Sequence, residues 1–306
     1  MLTDLHHDLE RIANSVRADW GVYIKFLANG EEIAINADAP MDTMSVIKIP
    51  ILVELFRQAD AGRINLDQRI ALQTHHKRFG TGVLRALDDG LSLTLRDAAM
   101  LMIIQSDNTA TDLCFEAVGG PAVVTRTMRA LGLRSIEAVG TCFEWFRAMG
   151  VVMDASYANL SPTELFIRGY PALSPVEAAA ARERFHFAGK HPFGLSSARE
   201  MGGLLEMIYK GKCASEASCA EILRIMRLQQ FNTRIPKYLF GATTPHKTGD
   251  FGPFIANDVG LIEPYNKPPA IVCFFNAHHR GIWAHLEDAV ARMSEKVWAA
   301  QRAWQL

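Results

Sequence analysis

The chain lacks a basic excess: 32 Lys+Arg stand against 33 Asp+Glu, a formal net charge of −1. Binders of nucleic acid or of anionic membrane surfaces gather positive charge, so neither partner is expected. Long apolar runs are also missing. The longest, Ala98–Ile104 and Pro268–Phe275, are far shorter than the ~20 residues a membrane-spanning helix needs. At the amino terminus, Met1-Leu-Thr-Asp-Leu-His-His-Asp puts acids and histidines where a signal peptide carries its apolar core, which makes a cytoplasmic protein the expectation. Cysteine is scarce and odd in number. Cys114, Cys142, Cys213, Cys219 and Cys273 contain no C-x-x-C pair, which argues against a disulfide framework or a zinc knuckle. Internal repeats and low-complexity linkers are absent too.

With 49% hydrophobic and 21% charged residues over 306 positions, the chain reads as one large globular domain or two small ones, not as a disordered or fibrous protein. Leu2, Leu5, Leu9, Ile12, Ala13 and Val16 recur at helical spacing, predicting an amphipathic helix over 2–18. Two β-rich runs, 21–27 and 31–36, flank Asn29-Gly30 and predict a hairpin. Residues 44–61 predict a largely buried helix that Pro50 bends, at the loss of one hydrogen bond. Helices are further expected over 95–106, 109–118, 122–131, 175–187, 197–209, 216–228 and 282–304. Strands are expected at 247–249, 259–262 and 270–276, while the stretch 134–194 carries little other pattern. Strands at both ends with helices between them predict an α/β (α+β) fold: an antiparallel sheet of about five strands built from both termini and flanked by helices, with an inserted all-helical subdomain. The expected division is 1–41 plus 214–306 for the sheet unit and 42–213 for the helical one.

Three short motifs carry chemistry. Ser45-Val-Ile-Lys48 starts a helix, where residues three apart share a face. A serine hydroxyl needs a neighbour to take its proton, and a lysine with a lowered pKa can do so. Ser106-Asp107-Asn108 falls between two helices, and alone would read as an N-cap. Lys247-Thr248-Gly249 lies on a strand, and alone would be an ordinary strand end.

Together and in this order, S-x-x-K, S-D-N and K-T-G resemble the motif set of the class A β-lactamase and penicillin-binding protein superfamily. Further stretches are similar: Ala34–Leu52, Leu93-Thr-Leu-Arg-Asp running into Ser106-Asp-Asn-Thr-Ala-Thr-Asp-Leu, Ala198-Arg-Glu-Met-Gly-Gly-Leu-Leu, and Asn257-Asp258-Val-Gly. The resemblance implies a β-lactamase/transpeptidase-like fold with its site in the cleft between the two subdomains. It makes Ser45 the acylated nucleophile, Lys48 its proton partner and Ser106 a proton relay to the leaving nitrogen. Asn108, Lys247, Thr248, Gly249 and Asp250 would bind substrate, and the backbone N–H groups of Ser45 and Asp250 would form the oxyanion hole. Gly249 would let substrate approach the strand. The implied reaction is hydrolysis of a lactam, amide or ester of a small molecule, with no cofactor and no metal. The alternatives are a slow-deacylating penicillin-binding or acyl-sensor protein, or a D-Ala-D-Ala peptidase.

Besides the acid at Asp250, where relatives often place a small residue, two departures stand out. The family's deacylating glutamate, in an E-x-x-x-N pattern, would fall near Cys142. Glu144 is the nearest candidate, but Ala148 stands where the asparagine belongs; Asp154 and Glu164 are the fallback carboxylates. The strand after K-T-G also lacks the arginine many relatives carry there, and Arg280, in His278-His279-Arg280, is the substitute considered. His186 and His191, five apart, are the remaining spaced pair of possible ligands and make no metal set. His246 should face away from the cleft. Phe274, Phe275, Trp283, Trp298 and Trp304 are expected to be core.

Overall fold

The computed structural model describes residues 2–188 and 192–303; His191 and Trp304 lie outside them. The sheet is assembled from both ends of the chain. Asp19–Phe26 and Glu32–Ile35 form the hairpin, with Gly30 at φ +79° in its turn. The first strand pairs antiparallel on its other side with Ala270–Ala277, which pairs with Ile255–Pro264, which pairs with His246–Phe251. A short strand, Ala242–Thr243, extends the sheet beside the end of Ile255–Pro264.

Helices cover both faces of this sheet, so the central strands are buried almost without interruption. Strands of that kind read as continuous apolar runs instead of alternations. That is why Ile255–Pro264 is longer than the part its sequence pattern reveals. Leu2–Asn14 and Trp283–Ala303 pack on one face, where Leu5, Leu9 and Ile12 join Val22, Ile24, Phe274, Val290 and Val297 in one apolar cluster. Ala198–Tyr209 packs on the other face, and its Gly202 lies so close to the Tyr23 ring that a Cβ there would sit 2.4 Å from it. Phe274, Phe275 and Trp298 are buried. All five cysteines are buried free thiols.

The helical part centres on Lys48–Asp60, whose residues 48–56 are all buried among the surrounding helices. Pro50 differs from expectation. It occupies the third position of this helix, inside the first turn, where amides have no partner within the α-helix and proline is tolerated. Thr94 starts Leu95–Ile104 by exchanging hydrogen bonds with Asp97. Asp107 caps Asn108–Val118 through the N–H of Ala110, at 2.9 Å. The cap expected of the Ser106-Asp107-Asn108 triplet is thus its middle residue, which leaves the two flanking side chains free for Lys48.

The poorly patterned stretch holds helices at Cys142–Met153, Pro162–Arg168 and Pro175–Ala188, with a short 3-10 segment at Ala155–Asn159. Each of the three helices opens with the same device. Thr141, Ser161 and Ser174 each trade hydrogen bonds with a glutamate three residues on, namely Glu144, Glu164 and Glu177. Among the described residues no helix is long and apolar enough to cross a membrane.

Candidate active site

The nucleophile turn is fixed from two sides. Met44–Ile47 form one 3-10 turn that continues into Lys48–Asp60, and Met44 takes the left-handed φ of +45°, uncommon for a residue with a side chain. The Asp42 carboxylate holds that conformation by accepting the Met44 N–H at 2.9 Å. Burial pushes the Asp42 carboxyl up to about 7, against the pull of its backbone hydrogen bonds. From the other side the sheet presses in. A Cβ on Gly249 would lie 2.4 Å from the Thr43 carbonyl oxygen and 3.1 Å from the Ser45 nitrogen. The smallness of Gly249 thus admits the protein's own Thr43–Ser45 backbone. Asn257 adds a tie by donating from Nδ2 to the Asp42 carbonyl at 2.8 Å.

Lys48 is fully buried beneath partly exposed Ser45. Its Nζ reaches the Ser106 carbonyl at 2.7 Å, the Asn108 Oδ1 at 2.8 Å and the Ser106 Oγ at 3.1 Å. The Asn108 amide is oriented by donating from Nδ2 to the Phe79 carbonyl at 2.9 Å. Ser106 is left-handed, at φ +51°, and its carbonyl also accepts the Thr81 hydroxyl at 2.7 Å. Strained residues of this kind collect at functional sites. Desolvation lowers the Lys48 pKa, because an ammonium loses its hydration when buried.

The strand His246–Phe251 supplies the opposite wall. Lys247 is buried, donates to the Thr248 carbonyl at 2.9 Å, and is held well below the ordinary lysine pKa chiefly by desolvation. The buried Thr248 hydroxyl has no hydrogen-bond partner among the described residues. His246 faces away, pairing with buried Asp258 at 2.9 Å. A buried cation does lie beside the strand after K-T-G, outside the residues that line the cavity at Ser45. Buried Arg234 donates to the Asn257 carbonyl at 2.8 Å, contacts the Asp250 carboxylate and reaches Glu287 at 3.1 Å. Those acids keep it charged in spite of its burial. Arg280 is exposed, lies 3.8 Å from Glu183 and does not line the cavity at Ser45.

That cavity, about 270 Å³, is bounded by Ser45, Ser106, Asn108 and Asp250 on its polar side and by Cys142, Trp145, Phe146, Met149, Phe193 and Phe251 on its apolar side. Glu144 is not among its lining residues. Its carboxylate is exposed and accepts the Thr141 N–H at 2.8 Å, closing its own helix start. Glu164 does the same for Ser161. Asp154 caps Ser156 and pairs with Arg168 at 3.1 Å. All three candidate bases therefore serve as helix caps outside the cavity, and the Cys142 thiol stands on the wall. Burial holds that thiol well above its usual pKa, so it is neutral. Sequence reasoning missed Arg234, a buried guanidinium that only its contacts with Asp250 and Glu287 in the fold reveal. It also missed Asp112, whose carboxylate accepts the N–H groups of Cys142 and Phe143 at 2.7 and 3.0 Å and pairs with Arg78.

A serine and a buried lysine facing a K-T-G strand across a cleft, between a helical unit and an antiparallel sheet, define a class A β-lactamase-like protein. The chain belongs to the beta-lactamase enzyme family, whose family model matches residues 4–301. It is 31% identical over 125 residues to Beta-lactamase L2 of Stenotrophomonas maltophilia, covering 41% of each chain. Over 138 residues it is 26% identical to the extended-spectrum beta-lactamase PER-1 of Pseudomonas aeruginosa, covering 44% of this chain and 45% of that one. The chain thus spans less than half the length of these curated relatives. Among solved structures, the beta-lactamase from Sphaerobacter thermophilus DSM 20745 superimposes with a TM-score of 0.77 at 25% identity, over 98% of this chain and 97% of that one. PBP-A shares the fold with a TM-score of 0.76 at 23% identity, over 99% and 97%.

Proposed function

We propose that the protein is a serine β-lactamase-like hydrolase that opens a lactam, amide or ester of a small molecule through an acyl-enzyme on Ser45. The observation that carries this reading is the desolvated Lys48 Nζ, held by Ser106 and Asn108 at the edge of the cavity that Ser45 lines. Two of its three neighbours, the Ser106 carbonyl and the Asn108 Oδ1, only accept hydrogen bonds. The third is a hydroxyl, which can also donate. A neutral amine with two N–H donors and one lone pair satisfies this environment, and burial favours that form.

In the reaction Lys48 takes the Ser45 proton as the serine oxygen bonds to the substrate carbonyl carbon. Charge builds on the carbonyl oxygen and is met by the N–H groups of Ser45 and Asp250; losing one such donor typically costs ~10²–10³-fold in rate. The C–N or C–O bond then breaks, and the leaving atom takes the proton passed from Lys48 through the Ser106 hydroxyl. Lys247, which has no carboxylate partner among the described residues, and the unpartnered Thr248 hydroxyl suit an anionic group on the leaving half.

A second reading, in which the acyl-enzyme persists, is favoured by Cys142. Water activation needs a base on the cavity wall. Asp250 is the one carboxylate among the described lining residues, and it contacts Arg234. Time-resolved intact-protein mass spectrometry with a penicillin, a cephalosporin and an activated ester tests both readings, with Ser45→Ala as control. The expected result is an adduct on the wild-type chain and none on Ser45→Ala. An adduct that clears with product supports the hydrolase, and one that persists supports the second reading. No wild-type adduct with any of the three would overturn acylation at Ser45.

A further inference from the structure

Helix Pro175–Ala188 brings a cation to the apolar side of the cavity. Arg182 lines the cavity alongside Trp145, Phe193 and Phe251, and its guanidinium lies 5.0 Å over the Phe251 ring while it donates to the Gly252 carbonyl. Arg182 is partly buried, and among the described residues no carboxylate lies within ion-pair distance of it. Desolvation disfavours its charge, and no ion pair among the described residues offsets this; Asp250, in the same cavity, contacts Arg234 instead.

The same arginine and Gly252 also line a neighbouring cavity of about 410 Å³, which adds Glu183, Pro253, Phe254, His279 and Arg280. There Arg280 has a counter-charge in Glu183, at 3.8 Å, and stacks on Phe187 at 4.6 Å to the ring centroid. His279 is tied to the Pro253 carbonyl at 2.7 Å. Arg182 is the cation of this pair of cavities whose charge the protein leaves unmatched.

We infer that Arg182 is a specificity residue that binds a carboxylate on the acyl half of the substrate, so that the preferred acyl donor joins an aromatic or apolar group with an anionic one. The inference rests on the proposed acylation of Ser45 for its orientation. Lys247 and Thr248 take the leaving half at one end of the strand, which directs the acyl half toward Phe251 and Gly252 at the other. A carboxylate there gains a charge-assisted, geometrically matched partner, while the Trp145 and Phe251 rings, 5.3 Å apart and perpendicular, cover its apolar neighbour. The Arg182 guanidinium is already held over Phe251 and by the Gly252 carbonyl, so little ordering remains for the substrate to impose.

Carbenicillin and benzylpenicillin are the probes, because they differ by one carboxylate on the acyl side chain. Their affinities are measured by calorimetry on Ser45→Ala, and their rates of Ser45 acylation on the otherwise wild-type chain, each with and without Arg182→Gln and Arg182→Lys. Carbenicillin is expected to bind Ser45→Ala about 10-fold more tightly than benzylpenicillin. The preference should fall to about 1 with Arg182→Gln and recover in part with Arg182→Lys, with folding of each variant checked by its unfolding midpoint. Equal affinities, a preference that survives Arg182→Gln, or no binding of either penicillin at millimolar concentration would overturn the inference. Arg182-dependent binding without acylation would uphold it and instead overturn the proposed chemistry.

Discussion

The backbone N–H of Cys142 donates to the carboxylate of Asp112 across 2.7 Å, and the next amide, of Phe143, donates to the other oxygen at 3.0 Å. One buried acid on the helix Asn108–Val118 thus seizes the amino end of Cys142–Met153, where unpaired amides and the helix dipole favour a negative charge. Arg78, 2.5 Å away, balances that acid. The clamp decides which residue of the Thr141–Glu144 turn meets the cavity: Cys142 lines it, and Glu144 turns outward to its own cap.

If that position governs the fate of the acyl-enzyme, Cys142→Glu should shorten the lifetime of a penicillin adduct by ~10²-fold, the scale of a positioned general base. The decay of the adduct mass after excess penicillin is removed measures this directly. An adduct equally long-lived in both proteins would remove the Cys142 wall as the reason for slow deacylation.

Gly249→Ala should damage acylation far more than its one methyl suggests. The added carbon would lie 2.4 Å from the Thr43 carbonyl oxygen, which has no flexible side chain to yield, so the turn carrying Ser45 must move. A displacement approaching 1 Å costs ~10²-fold in rate, and the overpacking costs ~1–3 kcal/mol of stability. Wild-type acylation kinetics in this variant would show that strand and turn do not press on each other.

The Asp42 carboxyl ties stability to pH. Its folded-state pKa is raised from 3.8 to about 7, so the folded chain holds a proton that the unfolded chain releases between those values. Its contribution is therefore most favourable below about 4 and is lost as pH climbs through about 7. Asp42→Asn cannot ionise, and its melting temperature should gain on that of the wild type as pH rises from about 5 to about 8. Parallel pH profiles for the two proteins would show that Asp42 does not titrate in this window.

The fold was legible wherever amphipathic periodicity and turn chemistry agreed. Leu5, Leu9 and Ile12 mark one buried helix face, and Asn29-Gly30 marks the hairpin. Segment 134–194 was poorly legible because its helices make up in caps what they lack in apolar stripe. The Thr141/Glu144 and Ser161/Glu164 pairs are visible in the sequence as S/T-x-x-E, and that signal identifies both helix starts and the occupation of both glutamates. Ser45, Lys48, Ser106, Asn108 and Lys247 could be named together because their spacing survives as three short motifs. Arg234 and Arg182 could not, since each works by lying across the fold from residues far away in the chain. Arg280 was the more visible candidate, but it pairs with Glu183, stacks on Phe187 and does not line the cavity at Ser45.

The sheet draws its first strand from residues near one end of the chain and its Lys247 strand from near the other, and the Asn257–Asp42 hydrogen bond joins the two halves at the nucleophile. As the ribosome proceeds, Ser45 and Lys48 emerge long before the wall they face. Until that wall is laid down the turn at Met44 has only the Gly194 strand and Asp42 to hold it, and lacks the Gly249 face. On the proposed chemistry, a chain interrupted before residue 247 would carry Ser45 and Lys48 without the strand they face.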